Sequence, residues 1–363
     1  MMKIYESLIS IIKGERGAVA VLVGLSMLTL IGFTALAVDV GYMMTARNEL
    51  QNAADAAALA AARKLGDIYK KNNTYDNPTD RPLILSAAVD IALKNKAGGL
   101  DGININDGDL IIGAWDGSTF TLNTTQPNAV RAITRRDGGA NGPVTTFFFN
   151  VLGADSVDIS AQAIAALSSQ GTAEYPGPFG ISKTLFESEV CDQSIDIYFT
   201  EDLVDCAGWH TFEDWPENAE TAIEDILNEM NDGSFANPGV KAGDEFVFTG
   251  RPVLGAFDEM QALYNEKKDT EGNWRINIVV YDNGEFNGCG TPSPWPNPQT
   301  ARTIVGFTTF LIEDVLQDPE YFNTKTIKGK IICQTAEEGR GSGAFSSGDL
   351  SYGTMGSIPS LVK

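Results

Sequence analysis

Histidine is almost missing from this chain: His210 is the only one in 363 residues. A hydrolytic triad needs a base beside its nucleophile, and a structural zinc site draws on closely spaced Cys and His, so neither has material here. His210, inside "GWHTF", reads as a structural residue. Cysteine is also scarce, and Cys191, Cys206, Cys289 and Cys333 form no CxxC pair. No GxxxxGK[ST] loop and no GxGxxG after a strand is present, which leaves nucleotide phosphates without a cradle. "NINDGDL" at 104–110 has its glycine one place early for a calcium loop and no closing glutamate, and "DQSID" at 192–196 lacks the third hydroxyl of a cation loop. No catalytic residue, cofactor or metal is therefore expected, and the chain reads as a non-enzyme. Basic residues are few as well: 26 Lys and Arg stand against 48 Asp and Glu, a formal net charge of −22. Phosphate contacts need clustered Lys and Arg, so no nucleic-acid partner is expected. "ITRRD" at 133–137 is only a local basic pair.

One further absence is positional. From Gly17 to Val38 there is neither proline nor a charged residue. Crossing a bilayer takes roughly 20 apolar residues at 1.5 Å each, so residues 17–38 are expected to form a transmembrane helix. Residues 1–16 carry three basic and two acidic side chains, net +1, which leaves −23 for the remainder. Basic flanks stay in the cytoplasm, so Lys13 and Arg16 are expected inside, after a short stub, with the acidic bulk exported. A cleaved signal peptide is the competing reading, because "ALA" at 35–37 has the small residues of a cleavage site. Asp39 falls at the outer edge, where a solvated carboxylate needs no special role.

What is abundant is alanine, in "ADAAALAAAR" at 54–63. Alanine favours the helix yet buries little, so an alanine face suits a helix held close to its neighbour. Ala54, Ala57, Ala58, Ala61 and Ala62 recur at three- and four-residue intervals and share one face, while Gln51 and Asn52 are expected to be solvated. Gly17, Gly24 and Gly32 fall roughly on one face of the apolar segment, where small residues let helices approach. The helix is expected from about 15 to about 65, followed by an Asn-rich loop at 70–82 and a second helix starting at Pro82. The period then changes to two in "DLIIGAWD", "TFTLN", "NAVRAITRR" and "DSVDISAQAIAAL". "VTTFFFNVLG" is expected as a short helix.

The fold class is thus α+β. The transmembrane helix continues into an exported helix packed on a small antiparallel sheet, together residues 39–169. "SSQGTAEYPGPFG" makes 170–180 the expected linker. Residues 181–363 are expected to form a second, β-rich α+β domain with a Gly/Ser-rich tail. All four cysteines lie in the exported part, and an even count in an oxidising compartment favours disulfides. Pairing within short segments gives Cys191–Cys206 and Cys289–Cys333.

"ERGAVAVLVGLSMLTLIGFTALAVDVGYMMTARNELQNAADAAALAAAR" at 15–63 closely resembles the N-terminal segment of TadG-like proteins of the Flp pilus (tight adherence) assembly systems. Weaker similarity continues in "IIGAWDGSTFTL", "PNAVRAITRR" and "FFFNVLGADSVDISAQAIAA". The resemblance implies a cell-envelope protein of a pilus or adhesion apparatus, anchored in the membrane and acting on other pilus-assembly or filament proteins, with self-association open. Two departures matter. The von Willebrand type A domain of larger members has no credible cation loop here. Prepilin-type cleavage after Gly14 would put Val19 where a glutamate is needed. Two alternatives remain: a subunit of an extracellular filament with the apolar helix buried in the fibre, or a secreted carbohydrate binder using Trp209, Trp215, Trp274 or Trp295.

Overall fold

In the computed structural model the apolar run and the alanine block form one unbroken helix, α1 (Glu15–Asn72). The structure describes residues 15–174, 176–189, 191–199, 206–212, 219–236, 238–248, 254–282, 301–317, 325–333, 335–341 and 352–363. The expected cytoplasmic stub therefore lies outside the described residues. Among the described residues four further helices follow: α2 (Asn77–Ala92), α3 (Lys183–Ser188), α4 (Ala219–Asp232) and α5 (Leu254–Lys267). Helix α1 outruns its expected end and stops where Asn73 takes a left-handed φ of 55° and donates its N–H to Tyr69 O. Helix α2 begins before Pro82 because Asp76 starts it. Thr79 Oγ1 donates to Asp76 Oδ2 and the Asp76 N–H donates to Asp80 Oδ2, at 2.6 and 2.8 Å, which satisfies the first turn.

The strands are those expected from the alternating segments. β1 (Leu110–Trp115), β2 (Phe120–Leu122), β3 (Ala129–Arg136) and β4 (Ile159–Ala166) belong to a five-stranded sheet. A larger sheet of seven strands holds β5 (Pro176–Ser182), β6 (Ser194–Phe199), β7 (Ala207–Trp209), β8 (Glu245–Val247), β9 (Trp274–Tyr281), β10 (Ala301–Gln317) and β11 (Lys325–Ile332). β12 (Thr335–Arg340) and β13 (Thr354–Ile358) pair in parallel, and β14 (Ser360–Leu361) joins β4. The chain is a mixed α and β protein with a long apolar helix at its start and a β-rich remainder. "VTTFFFNVLG" makes only a 3₁₀ turn at Phe149–Leu152, after a two-residue strand at Val144–Thr145.

Two compact units interleave along the chain, one with residues 1–57, 88–110 and 132–163 and the other with 58–87, 111–131 and 164–363. Their limits do not follow the boundary expected near 170–180. That segment is no linker: β5 is buried along its whole length, between β9 and β7. Its Gly and Pro letters read as a boundary, yet Gly177 and Gly180 serve close packing, since an added Cβ would come within 2.7 Å of Ile276 and 2.4 Å of Val279.

The second unit contains the main core. The sheet order is β6-β11-β10-β9-β5-β7 with β8 on β10, antiparallel except for the β5–β9 pair. In β9, Ile276, Ile278 and Val280 face a core shared with α4 and α5, whereas Val279 and Tyr281 face a second cluster containing Phe246, Phe248 and Phe307. Burial on both faces explains why "INIVVY" reads as a continuous apolar run. Gly66 of α1 belongs to this unit, and an added Cβ would lie 2.8 Å from the Ser357 carbonyl, so only glycine fits that crossing. The Gly/Ser-rich tail is anchored at both ends by β12 and β13; residues 342–351 between them lie outside the described residues.

In the first unit, Leu50 and Ala53 of α1 pack with Ala97, Ile103 and Ala161. Ala54 and Ala57 in this unit, and Ala58, Ala61 and Ala62 in the other, are fully buried. Asn52 is exposed, but Gln51 is half-buried, because its Nε2 donates to Asp55 Oδ1 and to the Gln162 carbonyl at 2.7 and 3.0 Å. Replacing Ala58 by Leu is expected to lower stability by ~1–3 kcal/mol through overpacking, and Asn52→Leu by less than ~0.5 kcal/mol. Comparing thermal unfolding of the two variants checks this, and equal midpoints would show that the alanine face has room to spare.

Candidate functional site

The end of the apolar run near Asp39 is where the first unit concentrates its unusual features. From Val19 onward α1 is long and apolar enough to cross a membrane, with mean hydropathy 2.3 in its most apolar window and none of that window buried. Val21, Leu22, Leu28, Leu30, Ile31 and Phe33 each leave more than half of their surface open. At Gly24 and Gly32 an added Cβ would meet no atom of this chain within 4 Å. Around Gly17 only the backbone is described.

The helix changes character at Asp39. This carboxylate was expected to be solvated, but it is 1% exposed. Three successive backbone N–H groups donate to it: Phe147 to Oδ1 at 2.9 Å, Phe148 to Oδ2 at 2.8 Å and Phe149 to Oδ2 at 2.6 Å. Charge-assisted bonds of this kind are among the stronger neutral-donor contacts, and together they tie residues 147–149 to α1 one residue after the apolar run. The Tyr42 ring meets Phe147 edge-on, with centroids 5.2 Å apart. A sequence signal existed: a lone carboxylate directly after 22 uncharged residues. Nothing in the sequence pointed to its donors, more than a hundred residues away.

A second buried polar group stiffens the same unit. The Arg136 guanidinium donates to four backbone carbonyls, those of Ala97, Gly98, Gly142 and Pro143, at 2.6–3.1 Å. Gly98 must adopt φ +54° to turn its carbonyl there, and a Cβ would crowd Val144 and Ala46 at 3.1 and 3.2 Å. Its neighbour Arg135 pairs with Asp109 and Asp137 at 3.1 and 3.3 Å. Both arginines of "ITRRD" thus serve the fold, and Asp109 of the calcium-like loop faces a guanidinium.

The cysteines pair differently from expectation. Cys191 is bonded to Cys333, 142 residues away, with Cα atoms 5.6 Å apart. This overturns both Cys191–Cys206 and Cys289–Cys333. The reason is register: antiparallel β6 and β11 pair Ser194 with Lys330, and continuing three residues outward brings Cys191 opposite Cys333. Cys206 is also disulfide-bonded, and Cys289 lies outside the described residues.

Trp209 cannot stack on a sugar as it stands, because it is fully buried among Phe179, Phe199 and Phe257. Trp215 and Trp295 lie outside the described residues. Trp274 is half-buried beside an open cavity of about 340 Å³, whose Arg275 is already paired with Glu337 at 2.6 Å.

His210 is fully buried, stacked on Phe246 and edge-on to Phe212 and Phe248, and neither ring nitrogen has a hydrogen-bond partner among the described residues. Burial pushes its pKa down to about 3. The folded state therefore holds it neutral while the unfolded chain protonates it below about pH 6.5. Its stabilising contribution is complete above that value and fades as the pH falls toward 3. Unfolding free energy is expected to drop by ~2 kcal/mol between about pH 8 and pH 5 from this residue, and His210→Phe should flatten that decline. Chemical denaturation at several pH values checks it, and an unchanged slope in the variant would refute it.

Residues 17–64 match the Flp pilus-assembly TadE/G-like family, and residues 43–165 match the Tad-like Flp pilus-assembly family. Together the two matches span residues 17–165. The first match covers the apolar run and its alanine face, and the second runs from Met43 to the penultimate residue of β4, taking in Arg136 and the 147–149 segment. These matches support a relation to pilus-assembly proteins over residues 17–165. No curated protein and no solved structure matches it.

Proposed function

We propose that the protein is a non-enzymatic component of a Flp/Tad-type pilus assembly or adhesion apparatus. It is anchored in the inner membrane by residues 17–38, with its N-terminus in the cytoplasm and the bulk exported. It acts through contacts with other pilus-assembly or filament proteins. The observation that carries the reading is the Tad match over a helix whose first half has no partner among the described residues. A disulfide joining two strands of the larger sheet agrees with an oxidising compartment. A periplasm-active reporter fused after residue 70 is expected to be active and a cytoplasm-only reporter silent; the reverse pattern would overturn the orientation. Deletion is expected to abolish piliation and surface attachment, and normal attachment would count against the role. A second reading, a filament subunit, draws on the open Gly24 and Gly32 positions, which would admit close helix approach between copies. Recovery in sheared filaments instead of the membrane fraction would favour it.

A further inference from the structure

We infer that the segment at residues 147–149 is a second membrane contact, in which Phe147 and Phe148 enter the outer lipid–water interface beside the helix. The inference rests on the reading that residues 17–38 span the bilayer. Those 22 residues are ~33 Å long as a helix, against a hydrocarbon core of ~30 Å, so Val38 stands at the outer boundary. Asp39 is the next residue, and its three hydrogen bonds hold the backbone of residues 147–149 at that level. The same bonds remove the segment's free N–H groups, which would otherwise oppose entry into an apolar medium. The side chains stay largely open: Phe147, whose ring meets Tyr42 edge-on, is 61% and Phe148 46% exposed, although aromatic side chains of this size normally find cover. Val38, the residue before Asp39 on α1, is similarly open. Exposed Phe, like Trp and Leu, buries at the headgroup/acyl boundary when a segment lies at that level, and such contacts add to those that set a span's depth and rotation. The occupant of this patch is therefore phospholipid, because the apolar surface that continues it along α1 is itself clothed by lipid.

The test places p-benzoylphenylalanine at Phe147 in one full-length variant and at Leu28, mid-span, in another, followed by irradiation of cell membranes and mass measurement. The expected result is a mass gain of one phospholipid at both positions. Lipid adducts at Leu28 with none at Phe147, or protein adducts at Phe147, overturn this inference and leave the span intact. Absence of lipid adducts at Leu28 overturns the span and the inference together. Phe147→Tyr at the neighbouring position of a Phe148-labelled variant should preserve the lipid adduct, whereas Phe147→Asp should reduce it several-fold.

Discussion

Asp39→Ala is expected to lower the stability of the first unit by ~2–4 kcal/mol and to free residues 147–149 from α1. Three backbone N–H groups converge on this one side chain, and a buried donor left without its acceptor costs ~1–3 kcal/mol. The total stays below three full penalties because the adjacent Phe147 and Phe148 side chains are exposed, so water can reach part of the released backbone. Asp39→Asn should lose less, since its carbonyl oxygen still accepts while its amide group meets donors. Hydrogen exchange at the amides of residues 147–149, measured beside thermal unfolding, decides the matter. Unchanged protection in the Ala variant would show that the segment is held by something other than the carboxylate.

Breaking the Cys191–Cys333 bond should cost ~2–5 kcal/mol, at the upper end of what single disulfides contribute, because it closes a long loop. Cys191→Ser should leave Cys333 as the one newly reactive thiol in the denatured, unreduced protein, with Cys206 still unreactive. A reactive Cys206 would restore the short-range pairing. The stability loss should match that of Cys333→Ser, since either change opens the same loop, and the double variant should add little.

Much of this molecule was legible in one dimension. The apolar run, the alanine face and the alternating strands are local patterns, and locality is why they could be read. A helix of period 3.6 or a strand of period 2 declares which residues share a face, whatever that face later meets. The Tad resemblance rested on the same continuous stretch. Asp39, the linker and the cysteines were misread for a common reason. A carboxylate after an apolar run is equally consistent with solvation and with capture, and the choice was made by three N–H groups at 147–149. The Gly and Pro letters of 170–180 mark turns in general, but here they let β5 lie against β9 and Phe248 without side chains in the way.

By itself, then, the sequence determined where a long apolar helix, its alanine face and the strands would form, because propensity and periodicity act through neighbours in the chain. The tertiary structure alone decided which distant groups meet: Asp39 with residues 147–149, Arg136 with four carbonyls, and Cys191 with Cys333. Those pairings follow from sheet register and from the path of loops. Their energies are comparable to those of the alternatives until the whole core is in place, so no short stretch of residues encodes them.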